Sequence, residues 1–291
     1  TGVVRVYEYS SGSWSQIGSD IDGEAVGDYC GNVSLNNSGS IIAVGAQSND
    51  GNAANNAGHV RVFEYSAGSW SQLGTDIDGE ASGDVSGKSV SMDGTGTIVA
   101  IGAHGNDANG SNSGHVRVYE YDSGTTTWSQ KGTDIDGSSS GHSFGSSVSL
   151  NSSGDTFAVG ARGANNSYGY VQMYDYSSGS WSQVGTQQSG TKQYDMAGRS
   201  IGISKNNTIV VYGAADTSYD RSNAGYAKAY QVSKTQLVYD SSGVLQTDDT
   251  YESGRGLVGI GITNPSYEVD ISGTMQVSGD ISASRLYVSG N

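Results

Sequence analysis

Four carboxylates, Asp20, Asp22, Glu24 and Asp28, fall within nine residues, and Asp76, Asp78, Glu80 and Asp84 repeat the pattern. Several oxygen donors on a flexible loop are what calcium takes, so calcium is the one cofactor these runs suit. The spacing is not that of an EF-hand, and the third and fourth copies of the segment lose Glu and Asp at these places. The competing reading is turn chemistry, in which Asp side chains accept bonds from local backbone N–H groups. A second chemistry is carbohydrate contact. Tyr29, Tyr168, Tyr194 and Tyr219 stand on candidate loops beside Asn and Asp. Ring faces suit sugar C–H faces and amides suit hydroxyls. By contrast, Tyr7, Tyr9, Tyr119, Tyr121, Tyr174 and Tyr176 follow the strand pattern and are expected to be packed.

Catalytic constellations are weak. His59 and His115 share one repeat position, which holds Tyr170 and Tyr226 in other copies. Exchange of that kind marks a residue that fills structure. His104 and His142 each occur in one loop only. No His-Glu-x-x-His helix or Ser-His-Asp order is present. The expectation is a protein that is not an enzyme. A polysaccharide-processing carboxylate pair is the alternative that this fold class leaves open.

Fourteen Lys and Arg stand against 29 Asp and Glu, a net charge of −15. Like charges repel before contact, so neither nucleic acid nor an anionic membrane surface is expected as a partner. No run approaches the roughly 18 apolar residues of a membrane span. Cys30 alone forms neither an intrachain disulfide nor a Cys-based zinc site. Thr1 in place of an initiator Met marks a processed, trimmed or partial chain.

The elements that position these residues come from a repeat. Gly58 to Tyr65 recurs as Gly114 to Tyr121, with degraded copies from Gly2, Gly169 and Gly225, at spacings of 56, 56, 55 and 56. Trp14, Trp70, Trp128 and Trp181 mark a second periodic site, and Asp20, Asp76 and Asp134 a third. Each repeat holds four short strand candidates. Val33 to Leu35 and Ile41 to Ala46 flank an Asn/Gly turn, which is a hairpin signature. The third strand carries apolar residues on both faces, so it must be covered on both sides. Gly45-Ala46, Gly102-Ala103, Gly160-Ala161 and Gly213-Ala214 let backbones crowd at one strand end. Four-stranded units repeated around an axis make a β-propeller.

The expected fold is therefore all-β. Residues 1–240 form a propeller of about five four-stranded blades, four of them complete. Residues 241–253 form a linker, and 254–291 an extended β stalk. Val269, Ile271, Met275, Val277, Ile281 and Tyr287 alternate along that last segment, giving one apolar face for self-association.

Phe144-Gly145 followed by Ala158 to Ala161 resembles the FG-GAP repeat of integrin-like propellers. The short turn Asn151 to Gly154 lacks that family's Asp-rich calcium loop, so its calcium sites do not carry over. The full unit also resembles repeats in surface and secreted proteins of marine microbes and their viruses. Val258 to Gly273 is similar to a segment of phage and algal-virus tail fibres that often precedes a trimeric stalk. These resemblances imply an extracellular structural and adhesive protein at a virion or cell surface. Its partners would be a cell-surface glycan or receptor, and other copies of itself through residues 254–291. A secreted or cell-surface adhesin or matrix protein of a marine microbe is the alternative that involves no virus.

Overall fold

The computed structural model describes residues 2–50, 55–207, 209–215 and 225–231, together with the backbone of four short strands beyond them. The chain divides into two units, Thr1–Lys234 and Thr235–Asn291.

The first unit is a series of propeller blades. The first complete blade orders its strands Cys30–Leu35, Ile41–Ala46, His59–Ser66 and Ser69–Gln72. The second runs Ser89–Met92, Ile98–Ala103, His115–Asp122 and Thr127–Gln130. The third runs Phe144–Leu150, Thr156–Ala161, Tyr170–Ser177 and Ser180–Ser189. The fourth shows three strands among the described residues, Ser200–Ile203, Ile209–Ala214 and Tyr226–Gln231. A partial blade precedes them, with Tyr7–Ser10 paired to Ser13–Gln16. All pairings within the blades are antiparallel.

Each hairpin between the first two strands is closed by one side chain. Asp93 Oδ1 accepts from the backbone N–H groups of Gly96, Thr97 and Ile98, each at 2.9 Å. At equivalent turns Asn36 Oδ1 accepts from Ser40 and Ile41 N–H, and Asn151 Oδ1 from Asp155 and Thr156 N–H. The three accepting residues are almost fully buried, and a side chain without an acceptor would take this partner from two or three N–H donors of the turn. Successive hairpins then join through the backbone: Asn37 N donates to Gly94 O at 3.0 Å, and Gly94 N to Ser152 O at 2.9 Å. The serines of the first strands continue this contact. Ser34 Oγ accepts from Met92 N, Ser91 Oγ from Leu150 N and Ser149 Oγ from Ile203 N. The first strands of neighbouring blades thus lie against one another, and the later strands fan away from them.

The core lies between blades. Ala43, Val60 and Val62 of one blade pack on Met92, Val99 and Ile101 of the next. The opposite faces, Ile42, Val44 and Phe63, pack on Val4 and Val6 of the partial blade. This is the physical reason the third strand is apolar on both faces.

The tryptophans fasten the outer strands. Trp70 Nε1 donates to Ile17 O at 3.0 Å, Trp128 to Leu73 O at 2.8 Å and Trp181 to Lys131 O at 2.7 Å. Each indole also lies on a glycine of the preceding blade. A Cβ on Gly74 would sit 2.8 Å from Trp128 Cδ1, and one on Gly132 would sit 2.7 Å from Trp181 Cδ1. Trp14 is 69% exposed and stacks only on its own hairpin partner, Tyr9. The packing expected of Tyr7 and Tyr9 is corrected here: they are 50% and 60% exposed. No described blade precedes theirs.

In the second unit, Val238–Tyr239 pairs antiparallel with Leu245–Gln246, and Val258–Ile260 pairs parallel with Val269–Ile271. Met275, Val277, Ile281 and Tyr287 lie outside the described residues, as does the linker apart from Leu245–Gln246. No helix among the described residues is long and apolar enough to cross a membrane.

Candidate functional site at the loop end of the blades

Register fixes which loops share an end. Cys30 lies opposite Ala46, Ala46 opposite His59, and His59 opposite Asp78. The blade-to-blade connection and the loop between the second and third strands therefore emerge together. The strand Ile77–Asp78 adds a fifth member beside the third strand, as does Ile135–Asp136 in the next blade.

The backbone here repeats even where side chains do not. Tyr29, Val85, Ser143 and Met196 occupy equivalent positions, all in the left-handed region at φ of 51°, 52°, 52° and 49°. Non-glycine residues pay steric strain there, most of all β-branched Val85. Cross-loop bonds hold the conformation: Val85 N to Asn56 O, Ser143 N to Asn112 O and Met196 N to Ser167 O, at 2.9–3.1 Å. The preceding residues, Asp28, Asp84 and Asp195, are buried. Asp28 accepts from Ala25 N at 2.7 Å, Asp84 from Ala81 N at 3.2 Å, and Asp195 from Thr191 N and Lys192 N at 2.7 and 3.0 Å. Asp28 and Asp84 thus hold turns. The fourth copy keeps this acid as Asp195, which the sequence reading missed because the loop length shifts the spacing.

The eight candidate calcium ligands do not converge run by run. Asp20 is paired with Arg5 by bonds of 2.8–3.0 Å, and that bond lowers the Asp20 pKa. Asp22 lies on the strand Ile21–Asp22, opposite Val3. The structure instead gathers acids from two successive runs around one buried imidazole. His59 Nδ1 stands 3.9 Å from Glu24 Oε2 and 3.8 Å from Asp76 Oδ2. Around the next blade, His115 Nδ1 stands 4.0 Å from Glu80 Oε2 and 4.0 Å from Asp136 Oδ1, with Asp134 adjoining. The rings are 2% and 3% exposed. Burial pushes both imidazole pKa values down, against the pull of the nearby acids. His59 and His115 thus each lie between acidic groups. Their recurrence with the Asp and Glu markers was the available signal.

A cleft of about 500 Å³ opens beside the first cluster, lined by Glu24, Asp28, Asn49, His59, Asp76 and Asp78 among others. Arg117 clamps the second cluster, binding Asp134 at 2.9 and 2.7 Å and pairing with Glu80. Its hydrogen bonds hold the Asp134 pKa low.

Of the candidate sugar-contacting rings, Tyr29, Tyr168 and Tyr194 are exposed at this same loop end. Tyr168 and Tyr194 belong to the junction of the third and fourth blades, and Tyr29 to that of the partial and first blades. They do not form one platform. Tyr219 lies outside the described residues.

Residues 75–119 match the model of the FG-GAP repeat. They run from the connection after the first complete blade through most of the third strand of the second. No curated protein matches the chain. Among solved structures, a candidate 6-phosphogluconolactonase from Bacteroides uniformis aligns at 12% identity over 84% of this chain and 64% of that one, with a TM-score of 0.52. A similar protein from Bacteroides fragilis aligns at 14% identity over 84% and 63%, at 0.48. TolB from Acinetobacter baumannii aligns at 14% over 76% and 47%, at 0.44. The chain thus spans about half to two thirds of the length of these proteins. At such identities the likeness bears on fold alone. The chain is an array of propeller blades, within which residues 75–119 match the FG-GAP repeat.

Proposed function

We propose that this chain is a non-enzymatic adhesive module of an extracellular fibre, at a virion or cell surface, whose blade-junction loops contact a glycan or glycosylated receptor. One observation carries the reading. At the loop end, a backbone fixed by repeated cross-loop bonds presents side chains that differ from blade to blade, exposed Tyr29, Tyr168 and Tyr194 among them. A rigid scaffold with variable exposed loops is how recognition surfaces are built. The match to an FG-GAP repeat supports an adhesive role, and the tail-fibre-like pattern from Val258 to Gly273 supports a fibre. Residues 254–291 join copies of the chain, as a trimer.

The test is binding of the full chain to an array of microbial and algal surface polysaccharides, beside a Tyr29→Ala, Tyr168→Ala, Tyr194→Ala triple variant. Binding that the triple variant loses, with no turnover of the polysaccharide, supports the reading. Unchanged binding by the variant, or hydrolysis, overturns it. Light scattering checks the fibre: a particle of three 30.0 kDa chains is expected, and a 30.0 kDa monomer removes that part.

A further inference from the structure

We propose that the loop end of the first complete blade binds one divalent transition-metal ion of the zinc type, through Glu24, His59 and Asp76. The argument begins with the imidazole. It is 2% exposed, its Nε2 has no hydrogen-bond partner, and its Nδ1 faces two carboxylate oxygens beyond hydrogen-bond reach of either. The equivalent Nδ1 of His115, 3% exposed, is likewise unpartnered and aimed between carboxylates. Neither ring nitrogen of His59 has a hydrogen bond, and of the two only Nδ1 faces the carboxylates, so an ion held there gives Nδ1 a partner and leaves Nε2 as it is.

The spacing fits an ion better than it fits hydrogen bonds. A tetrahedral ion with bonds of about 2.0–2.1 Å holds its ligand atoms about 3.3–3.4 Å apart. The three ligand atoms lie within 4.8 Å of one another, with the two imidazole distances at 3.8 and 3.9 Å. Glu24 and Asp76 have side chains 46% and 34% exposed, free to close the small difference. One imidazole nitrogen with two carboxylates suits zinc-type ions, whereas calcium takes oxygen ligands alone.

Each carboxylate is also oriented from behind. Gln72 Nε2 donates to Asp76 Oδ1 at 2.6 Å, leaving Oδ2 toward the imidazole. Arg61 Nη1 reaches Glu24 Oε1 at 3.4 Å, leaving Oε2 toward it. Such outer contacts are what orient ligands in metal sites. The three arginines at this repeat position decide which copy is open. Arg5 takes both oxygens of Asp20, and Arg117 takes both of Asp134. Arg61 instead donates to Asp22 O at 2.7 Å and leaves Asp76 without an arginine. The adjoining cleft provides the entry path and room for a fourth, exchangeable ligand.

The full chain, freed of metal, is titrated with Zn²⁺ alone, and with Co²⁺ as a spectroscopic probe. The expected result is one equivalent bound, with the intense visible absorption of tetrahedral cobalt. His59→Gln and Asp76→Asn should each weaken binding by roughly 100-fold or more, and Gln72→Ala by roughly 10-fold. His115→Gln should leave stoichiometry and affinity unchanged. Should His59→Gln fail to fold, Asp76→Asn decides, because that side chain is half-buried rather than buried and the change keeps its size. The proposal is overturned if zinc does not bind, if it binds equally to Asp76→Asn, or if calcium binds where zinc does not. Loss of binding in His115→Gln overturns the assignment to the first blade.

Discussion

Gly74→Ala and Gly185→Ala separate the seating of a tryptophan from ordinary backbone strain. Gly74 follows the fourth strand of its repeat, Gly185 stands at the equivalent place within Ser180–Ser189, and both have positive φ, +78° and +67°. Alanine in that region costs about 1–2 kcal/mol wherever it is placed. At Gly185 no atom of the described residues lies within 4 Å of the added Cβ, so backbone strain is the expected effect. At Gly74 the Cβ would stand 2.8 Å from Cδ1 and 2.9 Å from Nε1 of Trp128. Carbon contacts relax at about 3.5–4.0 Å, so the indole must retreat by roughly 0.7–1 Å. Its 2.8 Å bond to Leu73 O then exceeds hydrogen-bond length, a loss of about 1 kcal/mol. A retreat of that size also forfeits a quarter to a half of the ring's packing, about 1–2 kcal/mol of the roughly 3–5 that a buried Trp contributes. Gly74→Ala should therefore cost about 3–5 kcal/mol in total, against about 1–2 for Gly185→Ala. Urea denaturation followed by circular dichroism gives the two losses. Hydrogen exchange at the Leu73–Trp128 junction reports where the array opens, since repeat proteins lose cooperativity locally. Equal losses in the two variants would refute the view that these glycines are seats for the next blade's indole.

Two further outcomes follow from the same contacts. Trp128→Ala should cost about 3 kcal/mol, whereas Trp14→Ala, at 69% exposure, should cost under about 1 kcal/mol; thermal melts that rank them equally would contradict the inter-blade role of the indole. Burial pushes His104 down to about 4, and His59, His115 and His142 below their ordinary value. Between pH 6.5 and 4 the unfolded chain takes up protons that the folded chain refuses. Stability should therefore fall as pH falls, by up to about 1.4 kcal/mol per unit from His104 alone. Asp20 and Asp134, held low by arginines, respond only below the ordinary carboxylate range. Melting temperatures of metal-free protein between pH 7 and 5 isolate the histidines, and a flat series would be the contrary result.

The repeat determined much of this protein by itself. Period, strand identity and hairpin chemistry are local: Asn36, Asp93 and Asn151 close turns whose N–H groups lie within five residues of them. The two apolar faces of the third strand already required a neighbour on each side. What the sequence left open are the partners of each recurring residue. Trp128 and Gly74 are both periodic marks, but that one rests on the other across a blade junction follows only from how blades stack. Tyr9 and Trp14 carry the same residue types as Tyr65 and Trp70 and are exposed all the same, because burial belongs to the neighbour and not to the side chain. The acids show this most clearly. Read along the chain, Glu24 groups with Asp20, Asp22 and Asp28. In the fold it stands with Asp76 of the following run, across His59. Each connection between blades delivers acids to two successive third strands. Only the packed array decides which imidazole lies between them, and which arginine closes the gap.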